Sequence, residues 1–166
     1  MKEAKGDLFK VPCDALCITT NGFVKSNGEA VMGRGCAKQL AKLWTNTPRV
    51  LGRLLIAHGN RVNIISAGEP AVLSFPVKPG SAISDGSNFV SHMHFPEGTV
   101  IPGWACKADL ELIKTSAHQL VELTDRMGYR TVILPRPGCG AGELDWETVR
   151  PVLAEILDDR FTCYTF

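Results

Sequence analysis

The sequence predicts a three-layer α/β/α domain built on a mostly parallel or mixed sheet. Short apolar runs alternate along the chain with segments whose apolar residues recur at helical spacing, the pattern of strands covered by helices. The chain has 166 residues, 45% of them hydrophobic, which suits one domain, 1–166, with a proper core. Glycine and proline punctuate the junctions between these segments.

Taken in order, Ala15-Leu-Cys-Ile-Thr19 reads as the first buried strand, and Asn21-Gly22 opens a long polar, glycine-rich stretch ending at Met32-Gly-Arg-Gly35. From Cys36 to Trp44 the spacing predicts a helix with Ala37, Leu40, Ala41 and Trp44 on one face. A second helix is expected over Pro48 to His58, with Pro48 in its first turn, Gly59 as its stop and Leu51, Leu54 and Leu55 facing inward. Arg61–Ile65 and Ala71–Phe75 are strand candidates joined by a turn at Gly68-Glu-Pro70, so they are expected to be neighbours. Pro76 and Pro79 are expected to end the second of them, with Lys78 just past its carboxyl end. Residues 80–106 read as a long irregular insertion, a feature that is often functional.

Ala108 to Met127 gives the clearest helical pattern, with a stripe of Leu110, Ile113, Ala117, Leu120 and Met127 closed by Gly128. Thr131–Leu134 reads as a buried strand. It leads into Pro135–Trp146, where Gly138, Gly140 and Gly142 stand at alternate positions. Glycines so spaced let backbone N–H groups approach a ligand, and N–H groups beside a helix start suit phosphate. The loop has neither Walker nor Rossmann spacing, so from the residues it is either an anion loop or a tight turn. A last helix over Trp146 to Asp158 would bury Val149, Val152, Leu153, Ile156 and Leu157, with Pro151 tolerable only in its first turn. Phe161–Phe166 alternates as a final strand.

Charged residues make up 21% of the chain and the net charge is +1, which argues against attachment to nucleic acid by bulk electrostatics. No apolar run is long enough to span a bilayer. Met1–Asp7 lacks the apolar core of a secretory signal, and the six cysteines do not have zinc-site spacing. A reduced, cytoplasmic protein is expected. His92 and His94 flank Met93 without a nearby carboxylate or cysteine, and read as part of a polar loop. Three features fall beyond the carboxyl ends of strands, where such sheets bind ligands: Asn21, Lys78 and Gly138–Gly142.

At this point the chain resembles the macrodomain family, which binds ADP-ribose. The resemblance rests on Gly6-Asp7-Leu8, Asp14–Gly22, Met32-Gly-Arg-Gly-Cys-Ala37 and Pro135–Trp146, in that order. Within the family, Gly138-Cys-Gly140 and Phe75-Pro-Val-Lys78 look like the glycohydrolases that remove ADP-ribose from glutamate side chains or from thymidine in DNA, including the antitoxin macrodomains of the DarG type. The resemblance implies a three-layer α/β/α macrodomain with a mixed central sheet. Lys78 and Asn21 would be catalytic at the distal ribose. Ligand contacts would come from Asp7, Leu8, Thr20, Met32, Gly33, Arg34, Gly35, Cys36, Pro137, Gly138, Cys139, Gly140, Ala141, Gly142, Glu143 and Leu144. Gly142 departs from the terminal ADP-ribose glycohydrolases, which carry a catalytic Asp there; Glu143 and Asp145 are nearby acids but do not match it.

The implied ligand is ADP-ribose, with no metal or other cofactor. The implied partner is an ADP-ribosylated substrate, single-stranded DNA among its carriers, with no membrane, for a protein expected to be monomeric. A lysine that attacks the anomeric carbon must be neutral, so its pKa must be lowered by burial or a neighbouring cation. Trp104 in the insertion is a candidate to stack on a base or to form a lid, and Cys139 reads as a packing residue. A non-catalytic reader, and an esterase or phosphatase acting on acetylated or phosphorylated ADP-ribose, are the rival readings.

Overall fold

In the computed structural model, which describes all 166 residues, a six-stranded sheet lies between two pairs of helices. The strands are β1 (Lys2–Lys5), β2 (Ala15–Asn21), β3 (Ile64–Ser66), β4 (Ala71–Lys78), β5 (Ser81–Ile83), β6 (Val100–Pro102), β7 (Val132–Pro135) and β8 (Phe161–Thr165). The helices are α1 (Gly35–Leu43), α2 (Thr47–His58), α3 (Leu110–Met127) and α4 (Trp146–Ile156). The sheet order is β1-β8-β7-β2-β4-β3; every pairing is parallel except β3 with β4, so the sheet is mixed.

Alternate residues of the central strands feed two cores. Ala15 and Cys17 of β2 and Leu73, Phe75 and Val77 of β4 pack with Ile113, Leu120 and Leu153 of α3 and α4. Leu16, Ile18 and Val72 face the other way, onto Leu40 of α1 and Leu51 and Leu55 of α2. A strand covered on both faces has no reason to alternate in polarity, which is why β2 and β4 read as unbroken apolar runs.

Several expectations change. β4 does not stop at Phe75 but runs through Pro76 to Lys78. β3 pairs with it only at Val72 and Leu73, and the Pro76 carbonyl accepts from Ser116 Oγ of α3 at 2.7 Å, so the missing proline N–H lies beyond the ladder on that side. β3 is shorter than expected because Val62 and Asn63 donate their N–H groups to the Gln119 and Ser74 side chains instead. Trp44 is the extended cap of α1 and is exposed, not part of its buried face. Met127 is exposed as well; the buried face of α3 runs Ile113, Ser116, Ala117, Leu120, Leu123, Thr124 and ends before the left-handed Gly128 cap. Pro151 lies beyond the first turn of α4. Both it and Glu147, whose carbonyl loses a donor, are exposed, so water can take the donor's place. Residues 80–106 are not irregular throughout: β5 and β6 form an antiparallel hairpin, followed by a short 3₁₀ turn, Gly103–Ala105, around a small core of Ile101, Ala105 and Cys106. β1 was not expected at all; it is a polar edge strand paired only with β8.

Gly52 in α2 lies against the carbonyl of Gly28, where any Cβ would collide with that oxygen. Helix propensity would favour Gly52→Ala by about 1 kcal/mol. Overpacking against a fixed backbone costs about 1–3 kcal/mol. Net destabilisation is therefore expected in urea unfolding; a more stable G52A protein would show that the two segments are not pressed together.

Candidate functional site

β2, β4 and β7 run parallel, so the loops that follow them gather at one edge of the sheet. Together with the insertion they enclose a cleft of about 670 Å³, within the size range of small-molecule sites.

At one end of the cleft the pairing of β2 with β4 is irregular. Thr20 is opposite Pro76, but the next residue, Asn21, is opposite Lys78, so Val77 is passed over. Asn21 and Lys78 therefore emerge side by side, and both line the cleft. The Asn21 amide is anchored in the first glycine-rich loop: Nδ2 donates to Val31 O at 3.0 Å, and Oδ1 accepts from Phe23 N at 3.0 Å. Lys78 is only 8% exposed. Its Nζ makes one hydrogen bond, to Trp104 O at 3.2 Å, and no carboxylate forms an ion pair with it. Burial lowers its pKa; Cys106 opposes that shift, the Arg34 guanidinium adds to it, and Glu143 opposes it.

Two loops form the middle of the cleft. α1 begins without a side-chain cap at Arg34, and Gly35, Cys36 and Ala37 at its start line the cleft, leaving first-turn N–H groups for an anion. The second loop is closed by Leu144 N donating to Gly138 O at 2.9 Å and Glu143 N donating to Gly140 O at 3.0 Å. The N–H groups of Gly140, Ala141 and Gly142 have no backbone partner and are free to meet an anion. Gly138 has φ 75°, which favours glycine. At Gly142 a Cβ would lie 2.6 Å from both Ala108 Cβ and Gly138 O, so an Asp there would not fit this backbone.

The insertion is tied to both loops. Arg34 donates to His92 Nε2 at 3.3 Å, and the Glu143 carboxylate accepts from Ser91 N at 2.9 Å and Ser91 Oγ at 3.0 Å. The Ser91 backbone and hydroxyl hold the Glu143 carboxyl below its ordinary pKa. At the far end, Arg136 lies over Trp146 at 4.8 Å, and Glu3 of β1 accepts from Trp146 Nε1 at 2.8 Å and Arg150 Nε at 2.7 Å. Tyr164 and Phe166 complete that end.

Of the expected site residues, Thr20, Asn21, Gly33, Arg34, Gly35, Cys36, Lys78, Gly138, Cys139, Gly140, Ala141, Gly142 and Leu144 line the cleft. Asp7, Leu8, Met32, Pro137 and Glu143 do not. Asp7 caps the 3₁₀ turn Leu8–Lys10 through Phe9 N at 3.0 Å, Leu8 and Met32 are core residues, and Glu143 is engaged by Ser91. Cys139 is a thiol, pushed by burial up to about 11. Trp104 lines the cleft beside Lys78. Arg136, Trp146, Tyr164 and Phe166 also line the cleft; the sequence places Arg136 and Trp146 within the second glycine loop and Tyr164 and Phe166 in the final strand, without a ligand role for any of them. No three His, Cys, Asp or Glu residues are grouped so as to hold a metal, and no helix is long and apolar enough to cross a membrane.

No protein-family model matches the chain, and no curated protein sequence matches it. Solved structures do. The macrodomain of Mycobacterium tuberculosis DarG superposes with a TM-score of 0.71 at 19% identity, over 99% of this chain and 97% of that one. The macrodomain of Thermus aquaticus DarG gives 0.70 at 20% identity, over 99% and 97%. Thermosipho africanus DarTG in complex with ADP-ribose gives 0.69 at 17% identity, over 98% of this chain and 40% of that one. The fold is that of the macrodomains.

Lys78 makes one contribution to the pH dependence of native-state stability. Its pKa is lowered on folding, so between the native and unfolded values the unfolded chain binds more protons and stability rises with pH. Below that window folding must desolvate an ammonium. Lys78→Met is expected to raise Tm at pH 7 by about 2–4 °C, the shift made by about 1 kcal/mol in a chain of this size, with a gain that shrinks as pH rises. A gain independent of pH, or a loss, would show that burial does not disfavour the Lys78 ammonium in the native state.

Proposed function

We propose that this chain binds ADP-ribose in the strand-end cleft and hydrolyses the bond joining the distal ribose to its carrier, with Lys78 as the nucleophile. The observation that carries the reading is the buried Lys78 amine, without an acid partner, lining the cleft beside Asn21. The rest of the cleft suits the rest of the ligand. Free N–H groups in the two loops would take the diphosphate, and Trp146, Tyr164 and Phe166 offer flat apolar surface for the adenine. The ADP-ribose complex of the Thermosipho protein, 40% of which matches this chain, supports this choice of ligand.

In the scheme, the neutral Lys78 amine attacks the anomeric carbon as the bond to the carrier breaks. The proton lost from the newly bonded nitrogen goes to the leaving group. Water then adds at the anomeric carbon as the carbon–nitrogen bond breaks, and its proton passes to the lysine nitrogen, which regenerates the neutral amine and gives free ADP-ribose. Asn21 orients the ribose, and no cofactor enters the scheme. The carrier is a protein carboxylate or thymidine in single-stranded DNA; the resemblance of Phe75-Pro-Val-Lys78 supports these two classes.

A non-catalytic reader is the second reading, favoured by Gly142, whose surroundings leave no room for a catalytic acid. Lys78→Ala separates the two. Calorimetry is expected to show wild type and variant binding ADP-ribose alike, while release from a glutamate- or thymidine-linked substrate falls about 100-fold or more in the variant. Wild-type release is also expected to rise with pH as the amine loses its proton. Absence of heat with ADP-ribose would remove the ligand assignment. Binding without release from any linkage would leave the reader.

A further inference from the structure

The backbone that carries Lys78 is held residue by residue. Asn60 Nδ2 donates to Lys78 O at 3.0 Å, Gly22 N to Pro79 O at 3.1 Å and Gly103 N to Gly80 O at 2.8 Å. Three successive carbonyls are thus taken by three separate parts of the chain. The last of these donors belongs to the 3₁₀ turn Gly103–Ala105, which also supplies the single acceptor of the Lys78 amine, Trp104 O. The turn sits as close as it can: a Cβ on Gly103 would run into the Pro79 carbonyl and lie 2.7 Å from Gly80 O. From the other side, Val90 N donates to Ala105 O at 2.9 Å, and Ser91, the next residue, holds Glu143.

We propose that the Gly103–Trp104 turn is the positioning element for Lys78, its backbone carbonyl aiming the amine at the cleft while its packing keeps water from the other side. A neutral amine has two N–H donors and one lone pair. Giving one N–H to Trp104 O restricts rotation about the last side-chain bond, so the lone pair is directed away from the turn rather than averaged over all directions. The carbonyl is a main-chain group, so it is the seating of the turn, and hence the lack of a side chain at Gly103, that sets the geometry. Gly103 acts through Lys78 and touches no substrate. The chemical meaning of this arrangement rests on the hydrolase reading above; the arrangement of the amine does not.

The test replaces Gly103 by Ala and uses two readouts. The first is release of ADP-ribose from the substrate wild type cleaves. The kcat of G103A is expected to fall about 10- to 100-fold with KM within about two-fold of wild type, the signature of a misdirected group in a cleft that still binds. The second is the pH dependence of reductive methylation of Lys78 by formaldehyde and cyanoborohydride, followed by mass spectrometry. Its midpoint is expected to move up in G103A as solvent reaches the amine. Ile83→Ser, an exposed change on the same hairpin, is expected to leave both readouts unchanged. A fall in kcat with no shift of the methylation midpoint would overturn the proposal, as would wild-type behaviour in both. If wild type releases ADP-ribose from no substrate, the hydrolase reading has failed separately, and the methylation midpoint alone decides the positioning. If G103A does not fold, Pro102→Gly, which loosens the entry to the turn without a collision, decides in the same way: a smaller shift in the same direction supports the proposal, and none overturns it.

Discussion

The cleft depends on the pairing of β2 with β4. These two strands are parallel, adjacent and covered on both faces, and they carry the core on either side of the sheet. One irregularity at their carboxyl ends, the step that passes over Val77, puts Asn21 level with Lys78. Without that step the register would set Asn21 opposite Val77. β4 continues past Pro76 because its outer side is finished by Ser116 rather than by another strand. That continuation draws Lys78 into a position where a lysine is costly to charge. A residue type that is almost always solvated has here been enclosed with one neutral acceptor and no counter-ion.

The remaining parts of the cleft divide between backbone and side chains. The middle of the cleft presents backbone N–H groups, and the glycines around it differ in how closely they are packed. Gly142 is hemmed in by Ala108 and the Gly138 carbonyl, while Gly33, Gly35 and Gly140 have open space around them. The two ends are made by side chains and by distant parts of the chain. Glu3 of the first strand organises Trp146 and Arg150 of α4, and the insertion reaches both glycine loops through His92 and Ser91. Diverting the Glu143 carboxylate to Ser91 engages both of its oxygens at the insertion instead of at Lys78.

Much of this was legible in the sequence where local chemistry decides structure. The apolar runs at Ala15–Thr19 and Thr131–Leu134, the Gly59 and Gly128 helix stops, and the convergence of Asn21, Lys78 and the glycine loop at strand ends all follow from periodicity and turn residues. What was hidden depends on contacts far apart in the chain. β1 is polar because it is an edge, so it gives no apolar signal. The β5–β6 hairpin is short, with Ile83 and Val100 facing outward, and its small core is shared with Phe89 and Phe95 from the intervening loop. Tyr164 and Phe166 lie at the end of an alternating strand, and alternation does not say what lies beyond its end. Trp44 and Met127 extend helical stripes that the tertiary packing does not use.

In the proposed complex, ADP-ribose lies along this cleft with its distal ribose at Lys78. The measurement that tests it most directly is a crystal structure of the Lys78→Ala protein with ADP-ribose, superposed on the wild-type backbone. The diphosphate is expected on the N–H groups of the two loops, the adenine toward Trp146, and the anomeric carbon within about 3–3.5 Å of the place the amine occupies. A ligand lying in the reverse direction, with the adenine against Asn21 and the ribose at Trp146, or bound outside the cleft, would contradict it.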